Sequence, residues 1–185
     1  MAKRIPQAEL EKYENKLVPD LVDARTRILF CGINPGLETA YRQRHFAGPS
    51  NRFYPTLHAA GFVPEPITAD DTDVLLAHGL GITNVVRRAT RSAADLSADE
   101  VRKGAQALEK RVRKYNPAWL AVLGIGTYRT GWSKPKAAVG HQPDHRIGTT
   151  QVWVLPNPSG LNAHYKPADF ARLFAELRAA AESSR

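Results

Sequence analysis

The sequence predicts an α/β protein with a mostly parallel sheet that is covered by helices on both faces. The first observation is a set of four short apolar runs typical of buried strands, at residues 26–33, 81–86, 118–126 and 150–160. The second is that helical patterns separate these runs along the chain. Strands that alternate with helices usually pair in parallel, because each helix carries the chain back across the sheet.

The first half of the chain supplies the first two strands. The run TRILFCGI, at residues 26–33, is almost continuously apolar, as expected for a strand buried on both faces. Residues 51–62 then predict a short helix that turns three apolar side chains inward and ends at a glycine; these residues are Phe53, Leu57, Ala60 and Gly61. A further helical piece leads into the second strand, near 81–86.

Two longer helices have clearer signals. Ser97 and Glu100 form a capping-box pattern. An apolar stripe follows and ends before Pro117; it consists of Val101, Ala105, Leu108, Val112 and Tyr115. The last helix begins at Pro167 and repeats apolar residues at helical spacing, at Phe170, Leu173, Phe174 and Leu177. Both stripes indicate faces that pack on the sheet.

Length and composition indicate one compact domain. The chain has 185 residues, and neither an internal repeat nor a low-complexity linker interrupts it. We predict a single domain over 27–185 after a peripheral extension over 1–26, which contains a possible short helix over 8–17. The absence of a long apolar run and of a signal-peptide pattern predicts a cytoplasmic protein.

Charge and cysteine content narrow the function classes. Lys and Arg number 26 against 18 Asp and Glu, which leaves a net charge of +8 and favours a polyanionic partner without proving one. The single cysteine, Cys31, lies in the first apolar run, where strand packing in a reducing compartment is its ordinary role. One cysteine also excludes four-cysteine zinc and iron–sulfur sites.

Ligands of such sheets bind outside the carboxyl ends of the strands. Four loops are expected there, over 34–50, 84–95, 124–136 and 157–166. Two of these loops begin with the same dipeptide, Asn-Pro, at Asn34 and at Asn157. The sequence thus predicts a site built from this pair of loops.

Several chemistries have no support in these loops. No dinucleotide fingerprint or phosphate-binding loop follows the first strand, and GIGTYRTG, at 124–131, lacks an acidic ribose partner. Ser159 is outside a nucleophile-elbow motif and is better interpreted as a turn residue. The strand ends carry no clustered carboxylates and histidines, so we predict neither a metal nor a cofactor.

Asn34 is the remaining candidate. A following proline fixes the chain beside it, and an Asx-type turn is its alternative interpretation. An amide cannot take a proton, but it can hold and orient a water molecule. That is sufficient where a bond breaks dissociatively and the leaving group is a fair anion.

Four motifs in order resemble the mismatch-specific uracil-DNA and thymine-DNA glycosylase family over residues 27–182. They are GINPGL, RHFAGPSNRFY, GITNVVRRATRSAADLS and VLPNPSGL. The resemblance implies the three-layer α/β/α sandwich of uracil-DNA glycosylases. It also implies removal of uracil or related pyrimidines from double-stranded DNA, best opposite guanine, in base-excision repair. We expect a monomer.

The resemblance implies roles for individual residues. Asn34 would position the water that attacks C1′ of the deoxyribose, and the loop around it, with Gly32, Ile33, Pro35 and Gly36, would stabilise the departing base. Pyrimidine contacts would come from Thr39, His45, Phe46, Asn84 and Thr90. Phe46 would stack on the flipped base, with core filling as the alternative. Asn84 and His45 resemble thymine-type members, but Thr39 is bulkier than the family's usual alanine or serine and predicts weak thymine excision.

The second Asn-Pro loop would serve the DNA duplex. By the resemblance, Leu161 would enter the base stack, and the loop formed by Asn157, Pro158, Ser159 and Gly160 would face the widowed guanine. The alternative is a leucine that caps the last helix. Ala163 and His164 stand where uracil-type members commonly have an arginine, which leaves the grip on the abasic product open.

Basic residues in the loops would meet DNA phosphates; they are Arg42, Arg44, Arg87, Arg88, Arg91, Lys134 and Lys136. The run KRVRK, at 110–114, is instead interpreted as a solvated helix face. Two other functions stay open on the residues alone. One is a DNA-damage binder without catalysis, and the other is an enzyme that acts on free nucleosides.

Overall fold

A computed structural model describes residues 5–183 as one central sheet between two layers of helices. Its five strands are β1 (Ile28–Gly32), β2 (Leu80–Asn84), β3 (Trp119–Leu123), β4 (Gly140–Ile147) and β5 (Thr150–Leu155). They lie in the order β2-β1-β3-β5-β4. All neighbours are parallel except β4, which runs antiparallel to β5. The predicted α/β/α architecture is confirmed.

Seven α-helices and one 3₁₀ helix connect the strands within the described residues. They are α1 (Gln7–Glu11), α2 (Leu37–Arg42), α3 (Phe53–Ala59), α4 (Thr72–Ala77), the 3₁₀ helix Ala93–Asp95, α5 (Ala98–Tyr115), α6 (Ile125–Gly131) and α7 (Pro167–Ser183). None of these helices is long and apolar enough to cross a lipid bilayer.

The two faces of the sheet bury separate cores. On one face, Phe30 packs against Phe53 of α3 and Phe174 of α7. On the other face, Leu29 and Cys31 belong to the core that contains the buried stripe of α5. Because alternate residues of a strand point to opposite faces, the continuous apolar run of β1 serves both cores. This sandwich holds the carboxyl ends of β1 and β2 in fixed register, Gly32 beside Asn84.

Three elements differ from the sequence prediction. The loop expected over 34–50 contains α2, and the loop expected over 124–136 contains α6. Strand β4 was not predicted, because its sequence, GHQPDHRI, is polar and contains a proline. Both features suit an edge strand, where one row of backbone groups stays unpaired and an irregularity interrupts the ladder between His141 and Arg146.

The capping box of α5 is half formed. The Ser97 hydroxyl accepts a hydrogen bond from the Glu100 backbone N–H at 3.1 Å, as predicted. The Glu100 carboxylate, however, binds the Arg88 guanidinium at 2.9 Å. The start of α5 is thereby tied to the loop after β2.

The segment before β1 lies against the sheet. Leu21 pairs with Ile82 at the outer edge of β2, and Val18 is buried. The first helix is shorter than predicted, since α1 ends at Glu11. The division into an extension over 1–26 and a domain over 27–185 stays a prediction, but residues 17–21 are in close contact with that domain. The first four residues lie outside the described range.

Candidate functional site

A cavity of about 220 Å³ opens beyond the carboxyl ends of β1 and β2. Both Asn-Pro loops contribute to its wall, as the sequence predicts. Of the predicted site residues, the lining contains Gly32, Ile33, Asn34, Pro35, Gly36, Thr39, His45, Phe46, Asn84, Thr90, Asn157, Ser159 and Gly160. It also contains residues that the sequence did not single out, among them Glu38, Asn51 and Ser92. Pro158 and Leu161 belong to the same loop but do not line the cavity.

The amide group of Asn34 is held in one orientation. Its Nδ2 donates to the Thr90 hydroxyl at 2.7 Å and to the backbone oxygens of Pro35 and Arg88, each at 3.2 Å. The Thr90 hydroxyl in turn donates to the Ser92 backbone oxygen at 2.7 Å. Since the amide nitrogen is committed to protein acceptors, Oδ1 is the atom of Asn34 left to accept a hydrogen bond in the cavity.

Backbone hydrogen bonds join the loops after β1 and β2. Val85 N–H donates to the Gly32 oxygen at 2.9 Å, Val86 N–H to the Ile33 oxygen at 2.9 Å, and Thr90 N–H to the Pro35 oxygen at 3.1 Å. These bonds continue the pairing of the two strands into the loops. They explain how a loop with proline and glycine holds Asn34 in a fixed place.

His45 and Asn84 form a buried pair. The Nε2 of His45 lies 2.8 Å from the Pro19 backbone oxygen, so this nitrogen carries the proton. The bare Nδ1 faces the Asn84 Nδ2 at 3.3 Å and accepts its hydrogen bond. Burial lowers the pKa of His45 below its usual value, which keeps the ring neutral. The carboxamide of Asn84 is therefore oriented with its nitrogen toward His45.

Phe46 forms one side of the cavity. Its half-buried ring packs on Phe53, with ring centroids 4.4 Å apart, so the ring fills part of the core, and stacking on a base stays a prediction. Gly32 keeps this corner open, because a Cβ there would lie 2.6 Å from Asn84 Oδ1 and 3.2 Å from the Phe46 ring. Any side chain at position 32 would therefore collide with Asn84 and crowd Phe46.

Thr39 lies on α2 and also lines the cavity. Only 7% of its surface is exposed, so its position is restricted by the surrounding packing. A β-branched side chain in a helix has little rotamer freedom. Its methyl and hydroxyl groups therefore present a fixed boundary to whatever enters.

The second Asn-Pro loop exposes its principal side chain to solvent, whereas the first loop buries most of Asn34. Leu161 is 94% exposed, which rules out a role as a cap packed on α7. The loop behind it is braced by its own polar atoms: Asn157 Oδ1 accepts from Ser159 N–H at 3.1 Å, and the Asn162 amide donates to the Asn157 oxygen at 3.0 Å. A braced loop thus carries a fully exposed apolar side chain beside the cavity.

Arg52 connects this loop to α3, a role that has no direct signal in the sequence. Its guanidinium donates to the backbone oxygens of Ser159, Asn162 and Tyr165 at 2.6, 2.7 and 3.1 Å. It also lies 4.6 Å from the centre of the Phe170 ring. Gly160 fits closely against the neighbouring loop, since a Cβ there would lie 2.6 Å from Ser50. The exposed leucine is therefore mounted on a rigid support.

The basic residues are less free than the sequence suggests. Five arginines have acidic partners: Arg42 with Glu38, Arg44 with Asp70, Arg87 with Asp20, Arg88 with Glu100 and Arg91 with Glu11. Arg91 is 55% exposed and lines the cavity, which makes it the best placed for a phosphate. Lys134 and Lys136 line a separate cavity beside β4 and are not brought to this site.

Other reactive groups give no competing site among residues 5–183. Cys31 is fully buried, and burial raises the pKa of its thiol, so it is a packing residue as predicted. Across the same residues, no group of three or more His, Cys, Asp and Glu side chains is arranged to hold a metal ion. Asn34 stays the central polar group of the cavity.

The fold and the cavity together define a class: three-layer α/β proteins that bind their ligand outside the carboxyl ends of a parallel sheet. The profile of the uracil DNA glycosylase superfamily matches residues 19–178, and the chain belongs to that superfamily. Membership indicates a hydrolase that removes uracil from DNA in repair.

The fold is also similar to the solution NMR structure of a candidate uracil DNA glycosylase from Methanosarcina acetivorans. The two chains share 19% sequence identity with a TM-score of 0.57, over 89% of this chain and 98% of the other. At this identity the likeness supports the fold alone.

Proposed function

We propose that this protein is a monofunctional, mismatch-specific uracil-DNA glycosylase that removes uracil from duplex DNA opposite guanine by attack of water at C1′. The observation that carries the proposal is that Asn34 lines the cavity with its Nδ2 bonded to three protein acceptors, which leaves Oδ1 as its atom free to accept a hydrogen bond. An amide oxygen can accept a hydrogen bond from a water molecule and aim its lone pair at the sugar. It does not take the proton, so the N-glycosidic bond breaks first and the base leaves as an anion with the bonding electron pair. The water that then bonds to C1′ releases its proton to this anion or to solvent.

Base recognition in this proposal uses the corner between Phe46 and Asn84. The flipped pyrimidine stacks on the Phe46 ring. Because the nitrogen of Asn84 is turned toward His45, its Oδ1 is the atom presented to the ligand. A carbonyl oxygen accepts from the N3–H of uracil, whereas cytosine has an acceptor at N3. The pair of His45 and Asn84 would therefore favour uracil over cytosine.

The leaving group is an anionic pyrimidine. We assign its stabilisation to backbone N–H groups of the loop that contains Gly32, Ile33 and Gly36; Pro35 has no N–H and only shapes the turn. The pairing with the loop after β2 holds this backbone in place. Preorganised dipoles directed at developing charge need no rearrangement during the reaction. Thr90 would act mainly through Asn34, since its hydroxyl is bonded to that amide and to Ser92.

The duplex is opened by the second loop. Leu161 would enter the space that the flipped nucleotide leaves, at a cost of a few kcal/mol in lost stacking that the base contacts offset. The backbone of 157–160 would face the widowed guanine, which accounts for the proposed preference for guanine opposite uracil. Arg91 would contact a phosphate nearby.

The mechanism is proposed to be monofunctional. None of the described residues that line the cavity is a lysine, so no amine there is positioned to form a Schiff base with the sugar. The abasic product would stay intact until alkali or another enzyme cleaves it. Thr39 restricts the space beside the pyrimidine C5, and we expect thymine to be removed weakly or not at all.

The test uses end-labelled duplexes with uracil opposite guanine, uracil opposite adenine or thymine opposite guanine, and a single strand with uracil. Alkali treatment reveals each excision, and borohydride trapping checks for a covalent enzyme–DNA adduct. We expect the fastest excision from the guanine–uracil duplex, no trapped adduct, and equal rates in EDTA. Binding without excision would favour a damage binder, and activity on free deoxyuridine alone would favour a nucleoside enzyme.

A further inference from the structure

Two different groups form hydrogen bonds with the outer edge of β2. Near its middle, Ile82 exchanges backbone hydrogen bonds with Leu21, at 2.8 and 2.9 Å. Residue 84 presents its backbone groups to this same edge, since alternate residues of a strand face the same side. There the oxygen of Asn84 accepts from Arg111 Nη2 at 2.6 Å. A guanidinium from α5 thus holds the strand end that carries Asn84.

Arg111 is itself fixed by a buried carboxylate. The Asp20 side chain is 5% exposed and that of Arg111 is 16% exposed, with Arg111 Nε 3.3 Å from Asp20 Oδ2. Asp20 also accepts hydrogen bonds from the Thr83 hydroxyl at 2.8 Å and the Tyr115 hydroxyl at 3.0 Å. A buried charge is tolerated only where such partners surround it. These partners hold the carboxylate in place, and the ion pair with it keeps the Arg111 guanidinium beside the end of β2.

The same short segment reaches the other member of the base-reading pair. Pro19, next to Asp20, accepts the His45 Nε2–H through its backbone oxygen. His45 in turn orients the Asn84 carboxamide. Residues 19–20 therefore act on Asn84 from two sides, through its backbone by way of Arg111 and through its side chain by way of His45.

We propose that Asp20 and Arg111 are positioning residues for Asn84, so that the segment before β1 is a working part of base recognition. This inference rests on the proposed function. Neither residue lines the cavity, so each would act only through Asn84. Misplacement of a substrate-contacting group by about 1 Å can cost on the order of a hundredfold in rate.

The test is a double-mutant cycle between Arg111→Met and Asn84→Ala, measured by single-turnover excision from the guanine–uracil duplex. Arg111→Met should slow excision by about tenfold, the cost typical of a lost charge-assisted hydrogen bond. In the Asn84→Ala background the same change should have little further effect, because the group that Arg111 positions is gone. Arg111→Lys should restore part of the rate. Duplex affinity should change less than twofold in each case.

Arg113→Met is the matched control. It removes a cation from the same helix whose partner, Glu109, lies one turn away at the surface, and it should leave the rate unchanged. Thermal melts check folding. If Arg111→Met does not fold, Asp20→Asn and Arg111→Lys replace it in the cycle, with the same non-additivity expected.

Additive losses, or wild-type rates in the Arg111 and Asp20 variants, would overturn the inference while the proposed function stands. A wild-type protein that leaves uracil in place would overturn the proposed function and this inference with it. The two failures are thus separated by the wild-type rate, which is measured first.

Discussion

The two Asn-Pro loops begin alike at the same edge of the sheet, yet they present their principal side chains in opposite ways. In the first loop, the Asn34 amide is turned inward and its nitrogen donates to three acceptors. In the second, the Asn157 amide braces its own loop and Leu161 projects into solvent, 94% exposed. The Asn-Pro dipeptide therefore sets only a turn, and the neighbouring contacts decide whether its loop holds a polar group inside the cavity or exposes an apolar side chain.

Of the substitutions in the two loops, Asn34→Ala should have the largest effect on the excision rate. Excision should fall by about a hundredfold or more, as expected when a group that positions a reactant is lost, while mismatched duplex still binds. Single-turnover kinetics and a binding titration measure the two quantities. Asn157→Ala is the matched control, since it removes the same amide from the other loop and should affect only paired DNA. Wild-type rates for Asn34→Ala would remove this residue from the mechanism.

Leu161→Ala should have a smaller effect that depends on the substrate. Excision from duplex should slow by about tenfold, because the space left by the flipped nucleotide is then unfilled, and excision from a single strand should barely change. The two rates are compared on the same uracil-containing strand with and without its complement. Equal losses on both substrates would contradict a wedge.

Thr39→Ala should shift selectivity within the first loop. Removing the fixed methyl and hydroxyl groups should raise the rate of thymine excision relative to that of uracil by about tenfold. One methyl group in a pocket is worth roughly 10–200-fold in rate, so the gain should not exceed about 200-fold. The measured quantity is the ratio of single-turnover rates on guanine–thymine and guanine–uracil duplexes. Thr56→Ala, a buried threonine of α3, is the control. An unchanged ratio would show that Thr39 does not limit access to C5.

The smallest expected effect is on the pH profile. Burial lowers the pKa of His45, so the neutral ring's contribution is complete above its unfolded value of about 6.5 and is lost as pH falls toward the lower folded pKa. A protonated Nδ1 would point a donor at the Asn84 nitrogen, so excision should decline a few-fold once the pH falls below the usual histidine range and the ring takes up a proton. His45→Gln should remove this acid limb. His145→Gln, a second histidine whose burial lowers its pKa, should keep it, and loss of the limb in both variants would contradict the assignment.

The sequence predicted those parts of the fold that depend on local pattern. The strand β1 and the helices α5 and α7 were recognised because apolar residues recur along each of them at the spacing of its buried face. Strand β4 was not recognised, because an exposed edge strand does not need alternating apolar residues. Helices α2 and α6 were not recognised, because each is short and begins directly after a glycine, where a sequence usually predicts a loop.

The site was predictable where a motif carries it and unpredictable where it depends on distant partners. Asn34, Phe46 and Asn84 lie together as the four motifs implied. Arg111 was interpreted as part of a solvated basic face, but Asp20 draws it inward. Arg111 borders the apolar stripe of α5 and Arg113 does not, but the carboxylate that draws Arg111 inward comes from a distant part of the sequence and has no local signal.

The burial of Cys31 allows the second loop to be labelled selectively with a fluorophore. It is the single cysteine of the chain and is inaccessible to reagents, so an Ala163→Cys variant would carry one reactive thiol at an exposed position of the second loop and would keep Leu161. A polarity-sensitive fluorophore attached there would change its emission as the tip leaves water for the base stack. The moment of insertion could then be timed against the release of uracil, on the same molecules and without further substitutions.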